Sequence, residues 1–200
     1  MKGILLLNGS PYNGDIPKGF RVYCCDGAYA WAKGRVEIYK NIGDFDSLTE
    51  RPVPPPDEIY PSEKNFTDGE IAMRKMIADG VTEIDIYGAF GGREDHFLGN
   101  LQLLYYCIER GVHARLISPS TIIFPCRGRA ELGAYVGKTI SVFPFSAPLH
   151  ILDSRGLKYS YPEAIFYGEC RGVSNIVEEA GAYVAFGGGT ALIIINLGSV

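Results

Sequence analysis

The chain has no run of lysine or arginine, no Cys-x-x-Cys spacing and no long apolar stretch, and each absence removes a class of function. Nucleic acid and anionic membrane both demand clustered positive charge. Here the formal net charge is -4 over 200 residues, so neither is expected as a partner and a small molecule is. Without Cys-x-x-Cys there is no zinc or redox pair. The five cysteines, an odd number that includes the adjacent Cys24 and Cys25, read as reduced thiols serving as small apolar fillers in a cytosol. No uninterrupted stretch of roughly 20 apolar residues is present to span a bilayer, and the run from Ile4 to Leu7 is too short for a signal-peptide core. A soluble cytoplasmic protein is the expectation. Internal repeats and low-complexity tracts are also lacking.

What the chain does have is enough apolar content, 46%, to bury a substantial core, in one large domain or two small ones. Its texture favours two. The first part alternates strand and helix signals, which implies a parallel sheet: Ile4 to Leu7, Val22 to Cys25, helical Ala28 to Lys33, Val36 to Ile42, then Ile84 to Tyr87. Thr67-Asp68-Gly69-Glu70 matches a capping box, and Ile71, Met73, Met76 and Ile77 follow as an apolar face ending near Gly80. Asp95 can cap a helix running through Arg110, with Leu98, Leu101, Leu104, Tyr105 and Ile108 at helical spacing and Gly111 closing it. Pro52, Pro54, Pro55 and Pro56 form a stiff connector that excludes helix and central strand. Beyond Ile117 helix signals nearly vanish. Short β-type runs remain at Thr121 to Phe124, Thr139 to Phe143, Leu157 to Tyr161, Ala182 to Phe186 and Thr190 to Ile195, with Gly187-Gly188-Gly189 as a hairpin loop. The expected fold is an α/β domain with a mainly parallel sheet over residues 1–120, followed by an all-β sandwich or barrel over 121–200.

Two loops concentrate the chemistry. Gly43-Asp44-Phe45-Asp46-Ser47 and Gly91-Gly92-Arg93-Glu94-Asp95-His96 each set acids beside glycine just after an apolar strand. Carboxylates one residue apart can turn toward one point from a strand end and offer hard oxygen ligands to Mg2+. Asp68 opens a helix, where free N–H groups and the positive end of the macrodipole favour phosphate. Each feature also has a plain structural reading. Asp44 and Asp46 can make Asx-turns, and the same spacing opens phosphatases with an aspartyl nucleophile. Thr67 and Asp68 are explained by capping, and Gly91-Gly92 by an ordinary turn. Against that, Arg93 is a fork-like phosphate donor that Asp95 can hold in place. His96 reads as part of a helix start, His113 and His150 as surface or packing residues, and Tyr29 and Trp31 as helix-face packing.

In order, Asp26-Gly27-Ala28, Gly43 to Ser47, Thr67-Asp68, Gly91 to His96, Gly156-Leu157-Lys158-Tyr159 and Gly172-Val173-Ser174-Asn175 resemble the thiamine pyrophosphokinase family, over residues 26 to 175. Six segments in the family's order at similar intervals are specific where each alone is weak. The resemblance implies transfer of a pyrophosphoryl group from ATP to the hydroxyethyl oxygen of thiamine, giving thiamine diphosphate and AMP, on a homodimer with sites between subunits. It assigns Asp44, Asp46 and Asp68 to Mg2+, and Asp26, Thr67, Gly91, Gly92 and Arg93 to the nucleotide side. Arg93 and Asp95 fall at the phosphates or the reacting oxygen. Lys158, Tyr159, Ser174 and Asn175 match the segment lining the thiamine site, where an aromatic face suits a cationic thiazolium.

Two positions depart from the family: Asn65 stands where an acid is usual, and Tyr159 where some members carry Trp. The competing readings are an aspartyl-phosphate phosphatase using Asp44 and a nucleotide-binding domain without catalysis. Lys40 and Asn41 interrupt the apolar strand the phosphatase would need. Three separated acids plus Arg93 exceed what simple binding needs.

Overall fold

The computed structural model describes residues 1–45, 51–56, 59 and 65–198, which divide into two compact units, Met1–Pro119 and Ser120–Val200. In the first, strands β1 (Lys2–Leu6), β2 (Arg21–Cys25), β3 (Lys40–Ile42), β4 (Glu83–Tyr87) and β5 (His113–Ile117) pair in parallel in the order β5-β4-β1-β2-β3. The chain steps outward from β1 through β2 to β3, then crosses to β4 on the other side. That reversal makes β1 the switch point, and open sheets of this kind present their crevice at the carboxyl ends of the strands beside it.

The connecting helices cover both faces, which is why β1, β2, β3 and β4 are buried over most of their length. Ile4, Leu6, Val22, Cys24 and Tyr87 pack with Ala28, Tyr29 and Ala32 from α1 (Ala28–Ala32). Tyr23 alternates to the opposite face, where its hydroxyl donates to Asp79 at 2.6 Å. Asp79 ends α2 (Asp68–Ala78), which buries Ile71, Ala72, Met73 and Met76. α3 (Glu94–Ile108) lies against α2 and β5. Its buried residues are Leu103, Leu104 and Cys107, while Leu98 is 61% exposed; the apolar stripe read from the sequence is rotated from the face the helix buries. Arg93, not Asp95, is the N-cap residue, with no side-chain cap bond. The apolar run Val36 to Ile42 forms strand only at its end, β3. Residues 51–56 carry neither helix nor strand, in keeping with their prolines.

Cys24 and Cys107 are buried fillers, and burial pushes both thiols up to about 12. Cys170 is exposed and fills nothing.

The second unit contains β6 (Thr121–Cys126), β7 (Arg129–Glu131), a single 3-10 turn, β8 (Thr139–Pro144), β9 (Leu149–Arg155), β10 (Ala164–Ile165), β11 (Asn175–Ile176), β12 (Tyr183–Gly188) and β13 (Ala191–Asn196). Their pairing is antiparallel, β11-β8-β13-β6 in one group and β10-β9-β12-β7 in the other. Ile140, Val142, Ile193 and Ile195 from the first group and Leu149, Ile165, Val184 and Phe186 from the second share one core.

Two expectations fail here. Gly187-Gly188-Gly189 is not a hairpin loop, because β12 and β13 pair with different partners. The glycines carry the chain from one group of strands to the other, past the Ala147-Pro148 backbone. A Cβ on Gly188, whose φ is +93°, would lie 2.5 Å from the Pro148 carbonyl. Leu157 to Tyr161 is not a strand either; Leu157 makes one bridge to Val177 and the rest is irregular. The strand in that region is β9, whose polar half, Asp153 to Arg155, lacks an apolar signal.

One charged group is buried in the parallel sheet. Asp85, 3% exposed, sits opposite Arg115 in the register and accepts from its Nε at 2.6 Å and its Nη2 at 3.2 Å; Lys2 lies 2.8 Å from the other side. Burial alone would raise the Asp85 pKa, but hydrogen bonds from Arg115 and Lys2 outweigh it and hold the carboxyl below the usual range. A depressed carboxyl stabilises the fold above its unfolded pKa and loses that contribution as pH falls through its folded value. Asp85→Asn is therefore expected to destabilise the protein by about 2 kcal/mol at neutral pH, the scale of hydrogen bonds to a charged group. In urea melts the gap to wild type should close as pH drops below about 4; a gap independent of pH would contradict the pairing.

Candidate active site

The carboxyl ends of β1, β2 and β4 and the start of α2 open onto a cleft of about 580 Å³ whose lining includes Asn8, Gly9, Asp26, Thr67, Asp68, Gly91, Gly92, Arg93, Asp95 and Asn100. Of the residues read from the sequence, it gathers Asp26, Thr67, Asp68, Gly91, Gly92, Arg93 and Asp95. Asp44 follows β3, two residues beyond the strand, and is not part of this lining. Asp46 lies outside the described residues.

Local physics explains each placement. Thr67, extended at φ -70° and ψ 156°, accepts the Glu70 N–H through its hydroxyl at 3.2 Å, so the N-cap half of the expected box starts α2 and sets Asp68 in its first turn, while the Glu70 carboxylate turns to Arg74. Asp26 follows β2 directly, with its N–H on the Ile42 carbonyl at 2.9 Å and a φ of +30°. Asp tolerates that left-handed region better than most residues. Beyond β1 and β4 the backbones stay hydrogen-bonded: Leu7 N–H to Tyr87, Gly9 N–H to Gly88 and Ser10 N–H to Phe90, at 2.9, 2.8 and 2.7 Å. Gly91, at φ +70°, passes so close to Ser10 that a Cβ there would lie 2.0 Å from the hydroxyl. Arg93 and Asp95, both exposed, form a two-point pair, Nε to Oδ1 at 3.1 Å and Nη2 to Oδ2 at 2.6 Å. The Arg93 bonds hold the Asp95 carboxyl below its ordinary range, and Asp95 raises the Arg93 guanidinium in turn.

Cavity size does not pick out this cleft. A larger hollow of about 780 Å³ lies at the amino end of β2, lined by Lys18, Arg21, Arg35 and Tyr39 among others. Its two guanidinium groups are already engaged: Arg35 donates to the carbonyls of Tyr12 and Gly14, and Arg21 stacks 4.8 Å above the Tyr39 ring. The acid-lined cleft at the carboxyl ends has the chemistry for a metal–phosphate ligand.

In the second unit, Lys158, Tyr159, Ser174 and Asn175 also come together. Asn175 is 3% exposed, and its amide clasps Tyr159, accepting its N–H at 3.0 Å and donating to its carbonyl at 2.7 Å. Ser174, at φ +60°, gives its N–H to Ser141 at 3.1 Å. The Tyr159 ring is left 53% exposed, with the Lys158 ammonium 5.4 Å from its centre. Among the described residues, the non-glycine positions with φ between +20° and +160° are Asp26, Phe45 and Ser174. Each lies in a segment that the sequence singled out, and strain of this kind collects at functional loops.

Sequence reasoning missed Asn8, Gly9, Gly69, Gly99 and Asn100. The first two carried a usable signal, since Asn8-Gly9-Ser10 follows the apolar Ile4 to Leu7 as the other polar glycine loops follow theirs. Asn100, inside a helix, carried none.

Comparison with known proteins decides the family. Residues 18–116 match the family model for the thiamin pyrophosphokinase catalytic domain and residues 129–190 that for its vitamin B1 binding domain. A thiamine pyrophosphokinase of Bacillus subtilis is 34% identical over 163 residues, 76% of each chain. The chain belongs to the thiamine pyrophosphokinase family. The crystal structure of the thiamine pyrophosphokinase from Bacillus subtilis matches with a TM-score of 0.86 at 26% identity, over 98% of this chain and 99% of that one. The thiamin pyrophosphokinase of Candida albicans shares the fold, with a TM-score of 0.71 at 18% identity over 98% and 89% of the two chains. Within this family fold, Asn175→Ala is expected to destabilise the protein by about 1–3 kcal/mol, because it leaves the Tyr159 N–H and carbonyl without partners. Chemical denaturation checks this, and an unchanged midpoint would remove Asn175 as the clasp.

Proposed function

We propose that this protein transfers the pyrophosphoryl group of ATP to the hydroxyethyl oxygen of thiamine, releasing AMP. The observation that carries the reading is the single cleft holding Asp26, Asp68 and the Gly91-Gly92-Arg93 loop, in a chain of the thiamine pyrophosphokinase family. The thiamine oxygen attacks the β-phosphorus, the bond from that phosphorus to the α,β-bridging oxygen breaks, AMP leaves with that oxygen, and the hydroxyl proton is released.

Mg2+ takes hard oxygen donors, commonly one or two carboxylates completed by substrate phosphates and water. The donor set fits. Asp26 and Asp68 share the cleft, Asp44 follows the strand beside β2, and no group of three acidic, histidine or cysteine side chains among the described residues could hold an ion unaided. Asp44, Asp46 and Asp68 are assigned to the metal, with Asp26 beside them on the nucleotide side. The ion would supply charge neutralisation at the phosphoryl oxygens. Arg93 adds a cation for charge developing in the transition state, and Asp95 fixes its fork until phosphate competes for it. Thr67 and the Gly91-Gly92 amides face the phosphates.

The finer architecture follows from the same reading: an α/β nucleotide domain over residues 1–120 and a β-sandwich over 121–200 that binds thiamine. Tyr159 offers its exposed face to the thiazolium, flanked by Lys158 and Ser174, and Asn175 acts through the Tyr159 backbone. The protein works as a homodimer in the cytoplasm. Among the described residues no helix is long and apolar enough to cross a membrane.

Incubation with ATP, Mg2+ and thiamine should yield thiamine diphosphate and AMP by mass analysis; thiamine monophosphate with ADP would refute the pyrophosphoryl step. Asp44→Asn and Asp68→Asn should each lower the rate at least ~100-fold, the scale for losing a group that stabilises developing charge. Wild-type turnover in either would end the metal assignment. Shared sites predict that Asp46→Asn and Tyr159→Ala/Asn175→Ala subunits, each inactive alone, regain up to about one quarter of wild-type activity on random exchange in a two-fold dimer. No recovery after proven exchange would place each site within one chain.

A further inference from the structure

The loop from Gly88 to Arg93 contains three glycines in the left-handed region, Gly88, Gly91 and Gly92, at φ +70°, +70° and +75°. Such a loop loses much conformational freedom when ordered, so its geometry depends on what grips it. Its three consecutive carbonyls, of Gly88, Ala89 and Phe90, are not all gripped from the same side. The carbonyls of Gly88 and Phe90 accept from Gly9 and Ser10, in the loop after β1. The Ala89 carbonyl between them accepts from Asn100 Nδ2 at 2.9 Å. Asn100 stands on α3 about two turns past Arg93, lines the same cleft, and reaches a residue that is only 1% exposed.

We infer that Asn100 is a positioning residue for the nucleotide phosphates: by holding the Ala89 carbonyl it fixes the Gly91-Gly92-Arg93 segment that faces them. The inference rests on the functional reading above for the identity of the ligand. Without this bond the turn into Gly91-Gly92-Arg93 is held only through the Gly88 and Phe90 carbonyls, and the amides and guanidinium two to four residues on are less firmly placed. Misplacement on the ångström scale by a residue that never touches the reacting atoms is enough to weaken a site strongly.

The donor N–H is the critical feature, and isosteric replacement isolates it. Asn100→Asp keeps shape and helix propensity but sets a carboxylate against a carbonyl; Asn100→Ala merely deletes the bond. Binding of Mg2+ with a non-hydrolysable ATP analogue, without thiamine, is measured by titration calorimetry from about pH 8 down to about pH 4, the ordinary range of an aspartate carboxyl, alongside thermal melts. Asn100→Ala should bind the analogue at least about tenfold more weakly than wild type and Asn100→Asp more weakly still. The Asp variant should gain on the Ala variant as pH falls, because a protonated carboxyl regains a donor. Thiamine affinity should be unchanged in both.

Either variant within about twofold of wild type at every pH, or an equal loss for analogue and thiamine, would overturn the role of Asn100. A ranking of the two variants that does not move with pH would overturn the donor argument on which it stands. Wild-type protein that binds no analogue at all would instead overturn the functional reading, and this inference with it.

Discussion

The cleft depends on β1 and β4 remaining paired for several residues after each has ceased to be a strand. Those parallel backbones continue as Leu7 to Ser10 and Tyr87 to Phe90, joined by three N–H to carbonyl bonds. The continuation keeps a polar, glycine-rich floor at the point where the sheet order reverses. Glycine suits position 91, where this floor meets Ser10, because the backbone is left-handed at φ +70° and a side chain there would have to displace the Ser10 hydroxyl. Around that floor, Asp26 follows β2 directly and Asp68 comes from the capped start of α2. Three independent segments thus bring acids, glycine amides and a guanidinium to one opening, and the parallel sheet is what aligns them.

Charge is arranged in two different ways in the same unit. Asp85 lies deep within the sheet, paired with Lys2 and Arg115, where it joins β1, β4 and β5 and has no access to the cleft. Arg93 and Asp95 are exposed at 74% and 62%, so their pair contributes little to stability and is available to open for a stronger anion. The larger hollow at the amino end of β2 shows why cation count alone does not make a site: its guanidinium groups are held by backbone carbonyls and an aromatic ring. At the carboxyl end the acids and the glycine loop together match a phosphate bound with its metal.

The sequence made some of this legible through local rules that tertiary packing could not override. Thr67 and Glu70 announce α2 because the N-cap bond between them is made within four residues. Ile84, Ile86 and Tyr87 announce β4 with only Asp85 interrupting them, and that carboxylate stays in the strand because Lys2 and Arg115 pair with it. Asp68, Arg93 and Asp95 were readable because they sit beside those signals. Other features depend on long-range contacts. The buried face of α3 is set by which side α2 occupies, so Leu98 reads as core and is exposed. Gly187 to Gly189 reads as a hairpin because nothing local states that β12 and β13 have different partners. Asn175 was legible as a site residue only through resemblance; its clasp on Tyr159 spans sixteen positions and has no local signature.

Amide hydrogen exchange with and without Mg2+ and a non-hydrolysable ATP analogue, thiamine being absent, tests directly that this cleft is the nucleotide site. Slowed exchange is expected at residues 7–10, 67–69 and 88–93, where backbone N–H groups line the opening or sit beneath it. Slowed exchange at residues 17–22 and 34–39, with none around the cleft, would put the nucleotide at the opposite end of β2 and contradict the account.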